Sequence, residues 1–212
     1  MNPATIRLLP GILNDRVMTD TRPIVMVASP VYGIEELLNQ VYALLEGYGY
    51  QVWMSYKGTV PVNSRLSNFE NCLAAVDACD VFLGIVTGHY GTGQDAGTDE
   101  PSIFHREVQR AIAQDKLRYF LTHHNVTLAR TLLKQFRFDR DGNRLPLRLR
   151  RMDVLDDVRI LDMYDEIIRD SEPLSVRRGN WAQSYYQWDE ALLFITQQFA
   201  DPARIRALIG KP

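Results

Sequence analysis

Two short runs in this chain, IVMVA (Ile24 to Ala28) and VFLGIVT (Val81 to Thr87), are apolar at successive positions, and each is followed by a turn and a helical stretch. A strand with no polar alternation must be covered on both faces, and a parallel sheet held between two helical layers provides that cover. The rest of the pattern agrees. After SPVYG, the residues from Ile34 to Tyr48 place Leu37, Leu38, Val41, Leu44 and Leu45 at helical spacing, with Gly47 and Gly49 marking the stop. QVWMSY (Gln51 to Tyr56) is predicted as a second strand. Leu66 to Ala78 is predicted as a helix with Phe69, Leu73 and Val76 on one face, and Val81 to Thr87 as the third strand. A helix over Ser102 to Gln114, a strand over LRYFLT (Leu117 to Thr122) and a helix over Thr127 to Phe136 complete a βαβαβαβα order. Such alternation implies an α/β fold with right-handed crossovers.

Beyond residue 136 the pattern changes. FRFDRDGNRLPLRL alternates about Asp-Gly-Asn and predicts a β-hairpin, Val158 to Met163 is expected to return as a fifth strand, and Ser184 to Phe199 carries Tyr185, Trp188, Leu192, Ile195 and Phe199 in helical register. The expected organisation is an α/β core over 23–137 and a hairpin-and-helix extension over 138–212 that packs on it. The first 22 residues mix proline, glycine and charge and are read as an irregular arm.

With 212 residues, such a chain buries about 70% of the surface its unfolded form exposes, enough for one substantial core. The 24 Lys and Arg against 26 Asp and Glu leave a formal net charge of −2, which gives no long-range field to hold a polyanion. Nucleic acid is therefore not an expected partner; a small molecule, a protein partner or a second copy of the chain is easier to accommodate. Cys72 and Cys79 lie seven residues apart on one predicted helix, about 10 Å of rise, too far for a disulfide, so both are read as reduced. No leader and no apolar run of membrane-spanning length is read, and the expected compartment is the cytoplasm, without a membrane partner. The four histidines lack metal-ligand spacing, so no metal is expected. No cofactor is expected either: the first turn lacks the hydroxyl-rich phosphate loop that a flavin mononucleotide would need.

Parallel α/β sheets bind ligands beyond the carboxyl ends of their strands, where helix N-termini also offer free N–H groups to anions. That directs attention to two loops. In SPVYG, Ser29 can donate a hydroxyl, Tyr32 can stack on a base and Gly33 lets the backbone approach closely. After the third strand, GHYGTGQDAG supplies His89, Tyr90 and Gly91, and its glycines at 91, 93 and 97 are a near miss to GxGxxG. Glu107 falls one turn into the following helix, where the helix end is expected to favour its ionised form. A carboxylate there could attack or steady the anomeric carbon of a ribose. Asp80, which introduces the third strand, is a candidate for ligand orientation or for a local cap. The arginines at 140, 144, 148, 150 and 151, interleaved with Asp139, Asp141 and Asp153, read as a solvated face or a partner surface.

Three segments, PIVMVASPVYGIEELLNQVYALLEGYGYQVW, FENCLAAVDACDVFLGIVTGHYGTG and SIFHREVQRAIAQDK, together resemble the DUF4062 type of domain over about residues 23 to 122. Such domains are similar in outline to TIR domains and nucleoside 2-deoxyribosyltransferases. The resemblance implies a flavodoxin-like (TIR-like) three-layer fold with a central parallel sheet, here with a C-terminal helical and hairpin extension. It also implies a nucleotide-type ligand such as NAD, a glutamate acting on an N-glycosidic centre, with Glu107 in that place, and a setting in bacterial signalling or defence. A non-catalytic nucleotide sensor or protein-interaction module is the alternative it leaves open.

Overall fold

A computed structural model describes residues 22–93, 100–147 and 154–209. Its centre is a five-stranded, all-parallel sheet of order β2-β1-β3-β4-β5, the flavodoxin-like arrangement. The strands are β1 (Ile24–Ala28), β2 (Gln51–Trp53), β3 (Val81–Val86), β4 (Leu117–His123) and β5 (Ala182–Tyr185). The helices are α1 (Glu35–Gly47), α2 (Asn68–Ala78), α3 (Ile103–Ala113), α4 (His124–Arg137), α5 (Arg159–Ile167), α6 (Trp188–Phe199) and α7 (Pro202–Leu208).

The two apolar runs lie side by side as β1 and β3, and all six residues of β3 are buried. Alternate residues feed two cores. Val25, Val27, Val81, Leu83 and Ile85 join Leu38 and Leu45 of α1 with Ile195 and Phe199 of α6. Met26, Ala28, Phe82 and Val86 face Val76 of α2, Val108 of α3, Val126 of α4 and Ile160 of α5. Gly84 sits between these demands, because a Cβ there would lie 2.7 Å from the Phe120 ring. Among the described residues no helix is long and apolar enough to cross a membrane.

Several elements differ from expectation. β2 stops at Trp53, and the chain turns through a 3-10 segment, Ser55–Lys57, that ends on Gly58 at φ 67°. The expected strand over Val158 to Met163 is the start of α5: Ile160, Leu161, Met163 and Ile167 are buried together at helical spacing. The fifth strand is instead Ala182–Tyr185, so Tyr185 belongs to the sheet and the last long helix begins only at Trp188. The hairpin after α4 contracts to one antiparallel bridge, Phe138 to Arg144, around a turn in which the Asp139 carboxylate accepts the backbone N–H groups of Asp141 and Asn143. Residues 1–21 of the N-terminal arm, Arg148, Arg150, Arg151 and Asp153 lie outside the described residues.

The C-terminal segment closes one face of the sheet. α6 lies against α1, the Tyr50 hydroxyl donates to the Phe199 carbonyl at 3.0 Å, and the Tyr48 hydroxyl lies 3.1 Å from that of Thr196. Tyr50, Tyr119 and Phe199 meet edge to face, the arrangement that ring quadrupoles favour.

Candidate functional site

The strand order reverses between β1 and β3, and loops diverging at such a point leave a crevice at the carboxyl edge. A cavity of about 940 Å³ opens there, within the roughly 300–1,000 Å³ range of small-molecule sites. Ser29, Pro30 and Tyr32 line it from the loop after β1, and His89, Tyr90 and Gly91 from the loop after β3. Cys72 comes from α2, Phe104 and Glu107 from α3, and Asp156 and Asp157 from the segment before α5.

Glu107 is almost fully buried although it is a carboxylic acid. The Ser102 hydroxyl caps α3 by accepting the His105 N–H, which leaves Glu107 beyond the first turn. Removal from water penalises the charged form and pushes its carboxyl up from the ordinary 4.5 to about 7, while a hydrogen bond with the Cys72 thiol pulls slightly the other way. The direction is opposite to the one expected from the helix end: burial raises the value, and Glu107 lies past the first turn, within which the dipole's effect fades. Burial and the neighbouring Glu107 push the Cys72 thiol up to about 12, so Cys72 is a donor to the carboxyl rather than a nucleophile.

A second polar group lines the same cavity. The Asp156 carboxylate accepts the Tyr90 backbone N–H at 2.9 Å and meets His89 Nδ1 at 3.1 Å, while the Asp156 N–H bonds the Gly88 carbonyl. Gly88 permits that approach, since a Cβ would lie 2.2 Å from the Val154 carbonyl oxygen. Both obstructing atoms are backbone, so Gly88→Ala is expected to destabilise the protein by about 1–3 kcal/mol. Chemical denaturation checks this; an unchanged midpoint would contradict the clasp between the two segments.

Of the residues singled out from sequence, Ser29, Tyr32, His89, Tyr90, Gly91 and Glu107 come together around the cavity. Gly33 takes φ 79° in the exposed turn before α1 and does not line the cavity. Asp80 lies at the opposite edge of the sheet, where its carboxylate accepts the Ile24 N–H at 2.8 Å. Tyr32 is 72% exposed and stands edge-on to His89, whereas Tyr90 is buried, with its hydroxyl 2.6 Å from His105 Nδ1. Of the glycine-rich fingerprint, Gly91 lines the cavity, Gly93 pairs with Ser102 in an isolated bridge, and Gly97 lies outside the described residues.

Cys72 and Asp156 are cavity-lining residues that the sequence reading missed, and His105 stands behind the cavity wall against the Tyr90 hydroxyl. Cys72, Val76 and Cys79 share a helical face, a spacing that could have revealed the first. Asp156 reaches the site only through tertiary folding and carries no local signal. The charged side chains lining the cavity are Glu107, Asp156 and Asp157, with no Lys or Arg among the described lining residues. α1 also carries Glu35 and Glu36 in its first turn, which offset the attraction of its N-terminus for anions. Asp157 is itself paired with Arg159 at 2.6 Å, so the lining carries acid without a cationic side chain of its own to hold an anion.

Comparison with known proteins bears on the same region. A family model described as Domain of unknown function (DUF4062) matches residues 24–153. The match spans Ser29, Cys72, His89, Tyr90 and Glu107 and stops just short of Asp156. No curated protein matches the chain.

Proposed function

The chain belongs to the DUF4062 family, and from that premise we propose that its cleft binds a nucleotide and that Glu107 acts on the N-glycosidic bond. The observation that carries this reading is a buried carboxyl beside a cavity at the switch point of a parallel sheet. A carboxyl pushed to about 7 is present in both forms near neutrality, and its ionised form can stabilise positive charge growing at an anomeric carbon. The ribose and base enter the cleft, and the phosphates are left toward solvent, away from its acidic lining. The reaction class is N-glycoside hydrolysis or transfer, and a role in bacterial signalling or defence belongs to the same proposal.

Incubation of the protein with NAD, purine nucleotides and the corresponding nucleosides, followed by chromatography of released bases, tests the reading. Free base should accumulate from at least one of them. Binding without release, with any natural trigger present, would favour a sensor instead.

One observation supports a protein-interaction reading. Leu128, Leu132 and Phe136 form an exposed stripe along α4, 45%, 61% and 54% accessible, of the kind that partner surfaces use.

A further inference from the structure

The second polar group in the cleft has a geometry that Glu107 alone does not require. A carboxylate only accepts, so the 3.1 Å contact between Asp156 and His89 assigns the Nδ1 proton to the histidine and makes Nε2 its other functional nitrogen. Nε2 has no hydrogen-bond partner among the described residues, while the ring lines the cavity. Asp156 is itself fixed by the Tyr90 N–H, and Tyr32 packs edge-on against the imidazole at 4.9 Å. A histidine oriented at one nitrogen and open at the other is built to transfer a proton to a ligand.

We propose that His89, oriented by Asp156, donates a proton to the departing base, and that the cleft therefore serves N-ribosides whose base cannot leave without one. This rests on the glycosidase reading above and narrows its substrate class to neutral purine or pyrimidine ribosides rather than pyridinium ones such as NAD. In the step, the bond from the anomeric carbon to the base nitrogen breaks and its electron pair stays on the base. The Nε2 proton of the imidazolium passes to the base, while the Glu107 carboxylate faces the oxocarbenium-like carbon. Water then adds to that carbon and returns a proton to His89, so the net change is riboside plus water giving free sugar plus base. Asp156 is a positioning residue, since it acts through the imidazole.

The test compares guanosine with 7-methylguanosine, whose methyl group already supplies the positive charge that the proton would bring, and includes NAD. His89→Gln should slow guanosine cleavage by at least about a hundredfold, the scale of general acid catalysis, and 7-methylguanosine cleavage by less than about threefold. Imidazole added to His89→Ala should restore part of the guanosine rate, which a purely structural loss would not allow. Equal slowing of both ribosides without imidazole rescue, or slowing of neither, would overturn the donor role while leaving the glycosidase reading intact. Cleavage of NAD but of no purine riboside by the wild-type protein would do the same. If the wild-type protein cleaves none of the three and releases no base from the other nucleotides and nucleosides of the panel, both readings fall together.

Discussion

Truncation after Arg178 is expected to abolish cooperative unfolding of the whole protein. The cut removes β5, α6 and α7, and with them the buried side chains of Tyr185, Ile195, Phe199 and Ile205. At roughly 1.5–3 kcal/mol for each large apolar side chain, the loss is on the order of 10 kcal/mol, comparable to the entire stability of a typical domain, about 5–15 kcal/mol. It also uncovers Leu38, Leu45 and Tyr50 on one side of the sheet and leaves β4 as an unprotected edge. Thermal unfolding followed by circular dichroism decides the matter. A truncated protein that is soluble and unfolds at the wild-type midpoint would show that the C-terminal segment is dispensable.

The same segment shows where sequence reading succeeds and where it stops. β1 and β3 were readable because a strand covered on both faces has no polar position to confuse its period, and α1 and α3 because their apolar residues recur at helical spacing. β5 was not. Its four residues, AQSY, bury only Tyr185, as suits a short edge strand, and a helical register running from Ser184 to Phe199 takes in the last two of them. Val158 to Met163 failed for a related reason: six residues are too few to separate the two periods, and only the extension to Ile167 discloses a helix. For the site, the rule that ligand loops follow strand carboxyl ends placed Ser29, His89, Tyr90 and Glu107 together. It also shows why Asp80, which precedes its strand, stands apart. The protonation of Glu107 could not be read, because it depends on burial contributed by elements distant in sequence.

The second large effect is expected at Glu107. Its folded value of about 7 lies above the ordinary 4.5, so the folded state holds this proton more tightly than the unfolded chain does. The associated stability is present below about pH 4.5 and is lost as pH rises through about 7. At about 1.4 kcal/mol for each pH unit separating the two values, the loss is on the order of 3 kcal/mol. Glu107→Gln keeps the size and hydrogen-bonding capacity of the side chain but cannot ionise. It should flatten this part of the stability profile and leave the variant more stable than wild type above pH 7. Denaturant titrations at pH 5 and pH 8 measure the difference; parallel profiles for the two proteins would contradict the assigned burial of charge. Catalysis has the opposite sign. If the ionised carboxylate faces the developing cation, kcat/KM rises with pH through about 7 before other groups intervene.

A protein that stores an unfavourable charge where a ligand binds gives up stability for chemistry, and this connects the fold to the proposed activity. The most direct test places wild type and Glu107→Gln side by side, with binding measured by calorimetry and base release by chromatography on the best nucleotide or nucleoside of the panel. The account predicts dissociation constants within a few-fold of each other and base release at least about a hundredfold slower in the variant. Base release by Glu107→Gln at the wild-type rate would contradict it.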